Sequence, residues 1–258
     1  MIQLDRVDFG YTSQRLIFEG FTWHVDRGQV WSVLGPSGCG KSTLLLLLAG
    51  LQFPQRGAIT VDGAPLLRPR PRTGLILQEY GLLPWATVRE NIALGLRIRS
   101  FYGPDGRHAP RGQHLSSTEI QAQVDSWLRR LHLEEIADRY PSEISGGQRQ
   151  RTAIARALVL HPDLLLMDEP FAALDAPTRE TLQLLTLKLC REANVTIVLV
   201  THSIEEATFV GQNVLLLHAP PNRHPTVIEN THAPESAFRL TETYQAACMR
   251  LRSALEGG

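Results

Sequence analysis

The chain has 258 residues, of which 43% are apolar and 20% are charged, and its 26 basic residues balance its 26 acidic ones. This length permits one large domain or two small ones, and zero formal charge argues against a general binder of nucleic acid or anionic membranes. Three cysteines, an odd number in a long chain, exclude a disulfide scaffold and favour a reducing compartment.

The longest apolar run is Leu44–Leu51, which is much shorter than the roughly 20 residues of a membrane span. The first residues, Met1 to Asp5, show no basic segment that leads into an apolar one, so we expect no secretion signal. These patterns predict a soluble cytosolic chain that reaches a membrane only through a partner.

Apolar runs alternate with helical patterns, which predicts α/β architecture. In chain order, the first expected elements are a strand at Val30–Leu34, a helix at Lys41–Ala49, strands at Ala58–Val61 and Gly74–Leu77, and a helix at Thr87–Leu96. Then follow helices at about 116–131 and 146–160, a strand at Leu164–Met167, a helix from near Pro177, a strand at Val195–Val200 and a capped helix after Ser203.

The strands form an early and a late group with mostly helix between them, which indicates a parallel-sheet core interrupted by a helical subdomain. Phe101–Leu115 and Ala219–Pro225 are rich in glycine or proline and are expected to be surface loops. His218, His224 and His232 have no metal-site spacing, so we expect a solvated tail there.

The most specific motif lies between the predicted strand Val30–Leu34 and the helix that follows it. It fits the pattern G-x4-G-K-[ST] at every fixed position, in the strand–loop–helix context that the pattern requires. Its residues are Gly35, Pro36, Ser37, Gly38, Cys39, Gly40, Lys41 and Ser42, with Thr43 next. We predict that this P-loop binds the phosphates of a nucleotide.

Each residue type of this loop suits a phosphate. Glycines let the backbone approach closely, and successive N–H groups with a helix start form an anion-binding nest. Lys41 supplies a mobile cation for the β- and γ-phosphates, and Ser42 offers a hydroxyl to Mg²⁺. The alternative is a glycine-rich turn with a solvated Lys41.

Polar residues follow three other predicted strands. Asp168 and Glu169 end the strand at Leu164–Met167, and strand carboxyl ends are where ligands bind in open α/β sheets. Asp168 is the candidate Mg²⁺ ligand through water, and Glu169 the candidate base for an attacking water. His202 could touch the γ-phosphate or merely begin a helix, and Gln78 could bind Mg²⁺ or be an exposed loop residue.

A second glycine cluster precedes the predicted helix at 146–160 and comprises Ser145, Gly146, Gly147 and Gln148. Ser145 is a good N-cap, and the paired glycines expose N–H groups at a helix start. Because the P-loop already holds the phosphates, this second anion site suggests a pocket shared between two chains. We expect the arginines of this helix, Arg149, Arg151 and Arg156, to form a solvated face.

Together these residues resemble the ATP-binding subunit of ABC transporters over about residues 1–217. The resemblance rests on Ile144–Arg151, on Asp168-Glu169-Pro170 and on Ala173-Leu174-Asp175. It implies that His202 is the switch histidine, that Asp175 belongs to the D-loop, and that Tyr11 stacks on adenine, the alternative for Tyr11 being a plain turn residue. The segments 78–85 and 170–179 are similar to those of nitrate, sulfonate and taurine importer ATPases.

The resemblance implies a P-loop NTPase (RecA-like) α/β fold with an N-terminal antiparallel β region and an inserted helical subdomain. Its expected parts are a nucleotide-binding core at 1–86 and 161–217, a helical signature subdomain at 87–160 and a C-terminal extension at 218–258. It further implies a head-to-tail homodimer around two ATP with Mg²⁺, at the cytoplasmic face of the membrane.

The implied partners are transmembrane permease subunits and, through them, an extracytoplasmic solute-binding protein. A permease helix would dock near Gln78–Trp85, with Trp85, Leu82 and Leu83 as apolar anchors, unless these are buried in the helical subdomain. The alternative is a soluble ABC-type ATPase acting on nucleic acid or ribosomes, for which we find neither a coiled-coil insertion nor a basic surface. A P-loop kinase or GTPase would not need the cluster at 145–148.

Overall fold

The computed structural model describes residues 1–12, 15–112, 115–230 and 238–256. The chain divides into two compact units. The first unit comprises Met1–Pro69, Leu166–Glu169 and Leu187–Gly258, and the second comprises Arg70–Leu165 and Pro170–Thr186. The division into a core, a helical subdomain and a C-terminal extension remains a prediction, because the two units reflect which residues pack together and not what those residues do.

The first unit contains a four-stranded antiparallel sheet with the order β2-β1-β4-β5. Its strands are β1 at Ile2–Phe9, β2 at Phe18–Val25, β4 at Arg56–Val61 and β5 at Ala64–Pro65. Ile2 and Leu4 are buried and Gln3 between them is exposed, the alternation expected of a sheet with one covered face. The N-terminal antiparallel β region is therefore confirmed.

Within the first unit, the strands of the larger, six-stranded sheet follow the order β10-β9-β3-β8-β7, where β7 belongs to this unit from Leu166 onward. These strands are β3 at Val30–Leu34, β7 at Leu164–Asp168, β8 at Thr196–Thr201, β9 at Asn213–Leu216 and β10 at Thr226–Glu229. β3 is parallel to both β8 and β9, and its last residue, Leu34, pairs with Thr201 and with Leu216. These strands therefore end together, so the segments that follow them leave the sheet at one edge.

Among the described residues, three α-helices belong wholly to the first unit: α1 at Lys41–Leu48, α6 at Ile204–Val210 and α7 at Glu242–Glu256. A fourth, α5 at Ala176–Glu192, begins in the second unit and ends in the first. The Ser203 hydroxyl accepts a hydrogen bond from Glu206 N at 3.1 Å, so the predicted cap of α6 is confirmed. None of the helices in the described ranges combines the length and apolarity needed to cross a membrane.

The second unit contains strand β6 at Thr73–Ile76 and the helices α2 at Val88–Tyr102, α3 at Ser117–Arg130 and α4 at Gly146–Leu158. The capping box predicted at Ser116 and Glu119 opens α3. Helix α2 is longer than predicted, and Phe101 and Tyr102 belong to it and not to a loop. The helix continues to Gly103, whose φ of 71° lies in the region that glycine adopts easily.

The expectation of a solvated tail after residue 218 is wrong for the described residues. Strand β10 pairs with β9, and Leu251 of α7 is buried in a cluster with Leu34, Ala207, Val214 and Leu216. Leu251, Ala254 and Leu255 recur at three and four residues, which places them on one helix face. That periodicity was the available signal. His232 lies outside the described residues.

The packing of α7 predicts unequal costs for two truncations on the same helix. Leu251→Ala should lower the free energy of unfolding by about 2–4 kcal/mol, because it opens a cavity in the buried cluster. Met249→Ala, at a side chain that is 61% exposed, should cost less than about 0.5 kcal/mol. Urea unfolding measures both. Equal losses would show that α7 is not packed on the first unit in solution.

Candidate functional site

The P-loop connects β3 to α1, as the sequence predicted. The chain turns through Gly38, with φ of 79°, and Gly40, with φ of 110°, before α1 begins at Lys41. Both φ values lie in the left-handed region that side chains strain to reach, so glycine is required at these two positions. Pro36, Ser37 and Gly38 are exposed and Cys39 is buried, so the tip of the loop is open to a ligand.

The back of the loop packs closely against backbone and side chains that we had not singled out from the sequence. A Cβ on Gly35 would lie 2.3 Å from the carbonyl oxygen of Leu217, and one on Gly40 would lie 2.5 Å from Cγ2 of Ile17. A side chain fits at neither position without a shift of the backbone or of Ile17. The two glycines therefore also fix where the loop sits in the first unit.

Lys41 is buried, and its ammonium Nζ donates to Gly35 O at 2.8 Å and to Pro36 O at 2.9 Å. Within the described residues, no side chain caps the N-terminus of α1, and its first turn carries no acidic residue. The unpaired N–H groups of a helix start attract anions, and the bound lysine adds a full positive charge. This end of the first unit therefore has the charge and the donors that suit an anion.

Ser42 and Asp168 form the adjoining pair of oxygen donors. The Ser42 hydroxyl donates a hydrogen bond to the Asp168 carboxylate. Burial raises the pKa of Asp168, and the charge of Glu169 raises it further, whereas the Ser42 hydrogen bond and Lys41 act in the opposite direction. A half-buried carboxylate held above its ordinary pKa beside another acid is stabilised by a cation, and oxygen donors suit Mg²⁺. These residues fit a magnesium ion.

The structure brings Glu169 and His202 together at the same edge. Glu169 N donates to Val200 O at 2.9 Å, and the Glu169 φ of 44° is rare for a residue with a side chain. His202 Nδ1 lies 3.0 Å from Glu169 Oε2. Backbone strain of this kind concentrates at functional sites, and here it aims the carboxylate at the histidine. The sequence had suggested both residues but not their contact.

Tyr11 stands beside the P-loop. Its hydroxyl and that of Thr43 are hydrogen-bonded at 3.3 Å, and its ring meets Phe9 edge-on with centroids 5.3 Å apart. Next to it is a cavity of about 360 Å³, lined by Tyr11, Thr12, Arg15, Ile17, Gly38 and Pro220. An exposed aromatic ring beside an open cavity can stack on a planar base. The adenine-stacking role stays a prediction that this geometry supports.

The second unit holds the remaining predicted site residues. Ser145 caps α4: its hydroxyl accepts from Gln148 N at 3.3 Å, and Gln148 Oε1 accepts from Ser145 N at 2.9 Å. A Cβ on Gly147 would lie 3.0 Å from Thr178 Cγ2, and the Asp175 carboxylate accepts from Thr178 N at 3.2 Å. The hydrogen bonds from Thr178 lower the pKa of Asp175. Thr178 thus joins the signature glycines to the D-loop.

Gln78 and Gly146 complete the predicted set. Gln78 is exposed in the turn after β6, a position that fits either of the two roles considered from the sequence, so its role as a ligand stays a prediction. A Cβ on Gly146 would meet only ordinary contacts at 3.8 Å or more, so its backbone is approachable. The N–H groups at the start of α4 therefore form an accessible surface of the second unit.

The arginines of α4 do not form the solvated face that we expected. Arg149 Nη1 donates to Ile144 O at 2.9 Å, and Arg156 donates to Gly81 O at 2.6 Å and to Tyr80 O at 2.8 Å. Arg151 lies 3.5 Å from Leu131 O. All three side chains donate hydrogen bonds to backbone carbonyl oxygens. These carbonyls lie in turns beside α4, where strand or helix pairing does not supply a donor. They hold the signature helix to its own unit.

Comparison with known proteins agrees with these motifs. A family model described as ABC transporter matches residues 18–172. The aliphatic sulfonates import ATP-binding protein SsuB of Bacillus cereus is 37% identical over 242 residues, which are 94% of this chain and 89% of that protein. The taurine import ATP-binding protein TauB of Pseudomonas aeruginosa is 41% identical over 210 residues, which are 81% of this chain and 74% of that protein.

Solved structures are similar as well. The dimeric structure of MJ0796, a bacterial ABC transporter cassette, gives a TM-score of 0.74 at 31% identity and covers 89% of this chain and 98% of that one. A dimeric post-hydrolysis state of MJ0796, bound to ADP and phosphate, gives a TM-score of 0.73 at 28% identity with the same coverage. With the P-loop, the paired acids and the capped glycine cluster in place, the chain belongs to the ABC transporter family.

Proposed function

We propose that the chain is the ATP-hydrolysing subunit of an importer for a small solute such as a sulfonate, taurine or nitrate. One observation carries the chemistry: the P-loop, Asp168, Glu169 and His202 meet at one edge of the larger sheet. The solute class is supported by relatives named for the import of aliphatic sulfonates and of taurine.

The P-loop residues bind ATP in this proposal. Lys41 exchanges the carbonyl oxygens of Gly35 and Pro36 for the more negative oxygens of the β- and γ-phosphates, an exchange that a flexible ammonium group makes easily. The backbone N–H groups of the loop and the start of α1 surround the phosphates. Tyr11 stacks on the adenine, and the adjoining cavity receives it.

Ser42 and Asp168 would hold Mg²⁺, Asp168 through water. The ion supplies neutralisation of the phosphate charge that grows during phosphoryl transfer. The Ser42 hydroxyl would face the ion through an oxygen lone pair, in place of its hydrogen bond to Asp168. A cation there would stabilise the Asp168 carboxylate as the anion and so oppose the burial and the Glu169 charge that raise its pKa.

Glu169 takes the proton from the water that attacks the γ-phosphorus, and ADP leaves with the displaced oxygen. His202 holds Glu169 Oε2 through Nδ1, so its other ring nitrogen is directed elsewhere and can contact the γ-phosphate. A base and an orienting donor are thereby fixed before ATP arrives, and preorganisation of this kind lowers the barrier.

The signature residues act on a second copy of the chain. Ser145, Gly146, Gly147 and Gln148 of one copy would cover the γ-phosphate bound to the P-loop of the other, with Asp175 at the same interface. The triphosphate charge then draws together two positive helix starts, and hydrolysis weakens that attraction. Support comes from MJ0796, a related cassette whose solved structure is dimeric.

Trp85 is the proposed anchor for the permease. Its side chain is 74% exposed, so it is not buried within the helical unit, whereas Leu82 and Leu83 are half-buried. An exposed tryptophan beside partly exposed leucines is typical of a docking site. We propose that a permease helix docks here at the cytoplasmic face of the inner membrane, and that a solute-binding protein delivers the solute outside.

Replacement of the proposed base should stop turnover and spare binding. Glu169→Gln should lower the rate of ATP hydrolysis by at least ~10²-fold, the usual scale for loss of a general base, with little change in ATP affinity. Glu135→Gln, at an exposed acid of the second unit, is the matched control and should hydrolyse normally. Phosphate release and nucleotide titration measure the two effects. Near-normal hydrolysis by Glu169→Gln would remove this residue from its role.

The proposed magnesium site predicts that replacing Asp168 stabilises the metal-free chain although it abolishes magnesium-dependent hydrolysis. Asp168→Asn should raise the melting temperature of the metal-free chain by a few degrees, the shift that about 1 kcal/mol gives at this size. The amide avoids the desolvation and the repulsion from Glu169 that raise the pKa of Asp168. The gain should be largest where Asp168 is ionised and should vanish as pH falls through its raised pKa, since the wild-type carboxyl is then neutral.

Thermal melts with and without Mg²⁺ and ATP measure this effect. Magnesium-dependent hydrolysis should be lost in the same variant, because asparagine lacks the negative charge with which the Asp168 carboxylate would attract Mg²⁺. If the melting temperature of Asp168→Asn is below that of the wild-type chain in the absence of metal, the Asp168 carboxylate stabilises the fold by itself. The proposal that it needs a cation would then be wrong.

The docking proposal predicts loss of assembly without loss of nucleotide binding. Trp85→Ala should reduce co-purification of the permease from detergent-solubilised membranes by about tenfold, the loss expected when a hot-spot aromatic is truncated. Leu67→Ala is the control, since Leu67 is equally apolar and 78% exposed in the first unit. Equal recovery of the permease with both variants would place the docking surface elsewhere, and capture of ribosomal or DNA-bound proteins would favour the soluble alternative.

A further inference from the structure

The segment after β9 runs along the back of the P-loop. Leu217 N donates to Leu34 O, the last residue of β3, at 2.9 Å, which continues the pairing with β3 one residue beyond the end of β9. Five residues on, Asn222 N donates to Ile17 O at 2.8 Å, and Glu19 N donates to Asn222 O at 3.0 Å. The segment from 217 to 222 is thus fixed at one end to the strand before the P-loop and at the other end to the start of β2.

Asn222 is only 5% exposed, and both polar atoms of its side chain make hydrogen bonds. Its amide nitrogen Nδ2 donates to Cys39 O of the P-loop at 2.9 Å and to Ile17 O at 3.4 Å. Its oxygen Oδ1 accepts from His218 N at 2.9 Å. Two donors and one acceptor at this geometry are what a side-chain amide offers, and a carboxylate or a hydroxyl of similar size cannot supply them all.

The hydrogen bond to Cys39 O also affects the other side of the loop. The peptide between Cys39 and Gly40 is planar and trans, so its C=O and its N–H point in opposite directions. When Asn222 holds Cys39 O towards the back of the loop, Gly40 N–H must point towards the front. Gly40 has φ of 110° and directly precedes Lys41, so it is the residue at which a small rotation of the peptide is least resisted.

We propose that Asn222 is a positioning residue of the nucleotide site, which orients the Cys39–Gly40 peptide so that Gly40 N–H faces the phosphates. This inference rests on the proposed binding of ATP by the P-loop. It assigns a role to the beginning of the segment 218–258, which the family motifs do not reach. Asn222 touches no phosphate itself and acts through the backbone of the loop.

The first unit offers a matched control for a merely structural amide. Asn230 is 8% exposed, and its Nδ2 also donates to two backbone carbonyls, Thr208 O and Gly211 O, the latter at 3.0 Å. Those carbonyls belong to α6 and the turn after it, and not to the P-loop. Loss of the Asn222 amide removes the donor of Cys39 O, whereas Ile17 O keeps its bond from Asn222 N. Loss of the Asn230 amide removes the donor of both Thr208 O and Gly211 O, so Asn230→Asp should lose at least as much thermal stability as Asn222→Asp.

The experiment compares Asn222→Asp with Asn230→Asp in the full-length chain. Each change is nearly isosteric and removes both N–H donors. Asn222→Asp should weaken the equilibrium binding of ATP by about tenfold, the factor that corresponds to one misdirected hydrogen bond. Asn230→Asp should melt at least as early but bind ATP as the wild-type chain does. Asn222→Ser, which retains one donor, should fall between Asn222→Asp and the wild-type chain and serves if Asn222→Asp does not fold.

A second readout reports on the loop without ATP. Cys39 is buried and desolvation raises the pKa of its thiol, so it should react slowly with a maleimide in the wild-type chain. Asn222→Asp should accelerate labelling at Cys39, measured by peptide mass spectrometry, while labelling at the half-buried Cys248 stays unchanged. Asn230→Asp should leave Cys39 labelling as it is in the wild-type chain.

The outcomes separate this inference from the function on which it rests. If Asn222→Asp and Asn230→Asp reduce ATP affinity equally, or if Asn222→Asp melts early yet binds ATP normally, Asn222 is a structural residue and the inference is overturned. If the wild-type chain binds ATP no better than Lys41→Ala does, the proposed function has failed instead.

Discussion

The parallel pairing of β3 with its two neighbours is the constraint on which the site depends. Because Leu34 is opposite both Thr201 and Leu216, three segments leave the sheet side by side: the P-loop, the turn at His202, and the segment that ends at Asn222. The proposed phosphate nest, the histidine proposed to orient water and the support behind the loop are therefore all placed by one strand register. A shift of β3 by one residue would turn all of its side chains over and separate these groups.

The same edge is held in a state that favours a charged ligand. Lys41 is bonded to two carbonyls, Asp168 has its pKa raised by burial and by Glu169, and Glu169 itself has a strained backbone. The burial of Asp168 beside Glu169 and the strained backbone of Glu169 both cost stability. In the proposed function, a triphosphate with its metal ion would offset the first of these costs and would give Lys41 more negative partners. Such sites are common in enzymes, because groups arranged for the reaction need not be rearranged during it.

The sequence was most informative where residue type and spacing both carry physical meaning. The P-loop between β3 and α1, the serine caps at Ser116 and Ser203, and the strand at 164–168 could be predicted because caps, glycines and apolar runs act locally. Long-range contacts could not. Nothing near Asn222 announces that it would meet Cys39, and nothing in α4 shows that Arg156 would bond the turn at Tyr80. The tail was mistaken for solvated chain because loop signals outweighed the weak periodicity of α7.

The most direct test of the proposed shared ATP site is the structure of the Glu169→Gln variant with Mg²⁺ and ATP. ATP should remain bound in this variant because it is not hydrolysed. We expect two copies head to tail, with each γ-phosphate within hydrogen-bonding distance of Ser145 Oγ from the opposite copy and with Asn222 still bonded to Cys39 O. ATP bound on the P-loop with the other copy's Ser145 out of reach would leave a nucleotide-binding fold without the shared pocket that couples hydrolysis to transport.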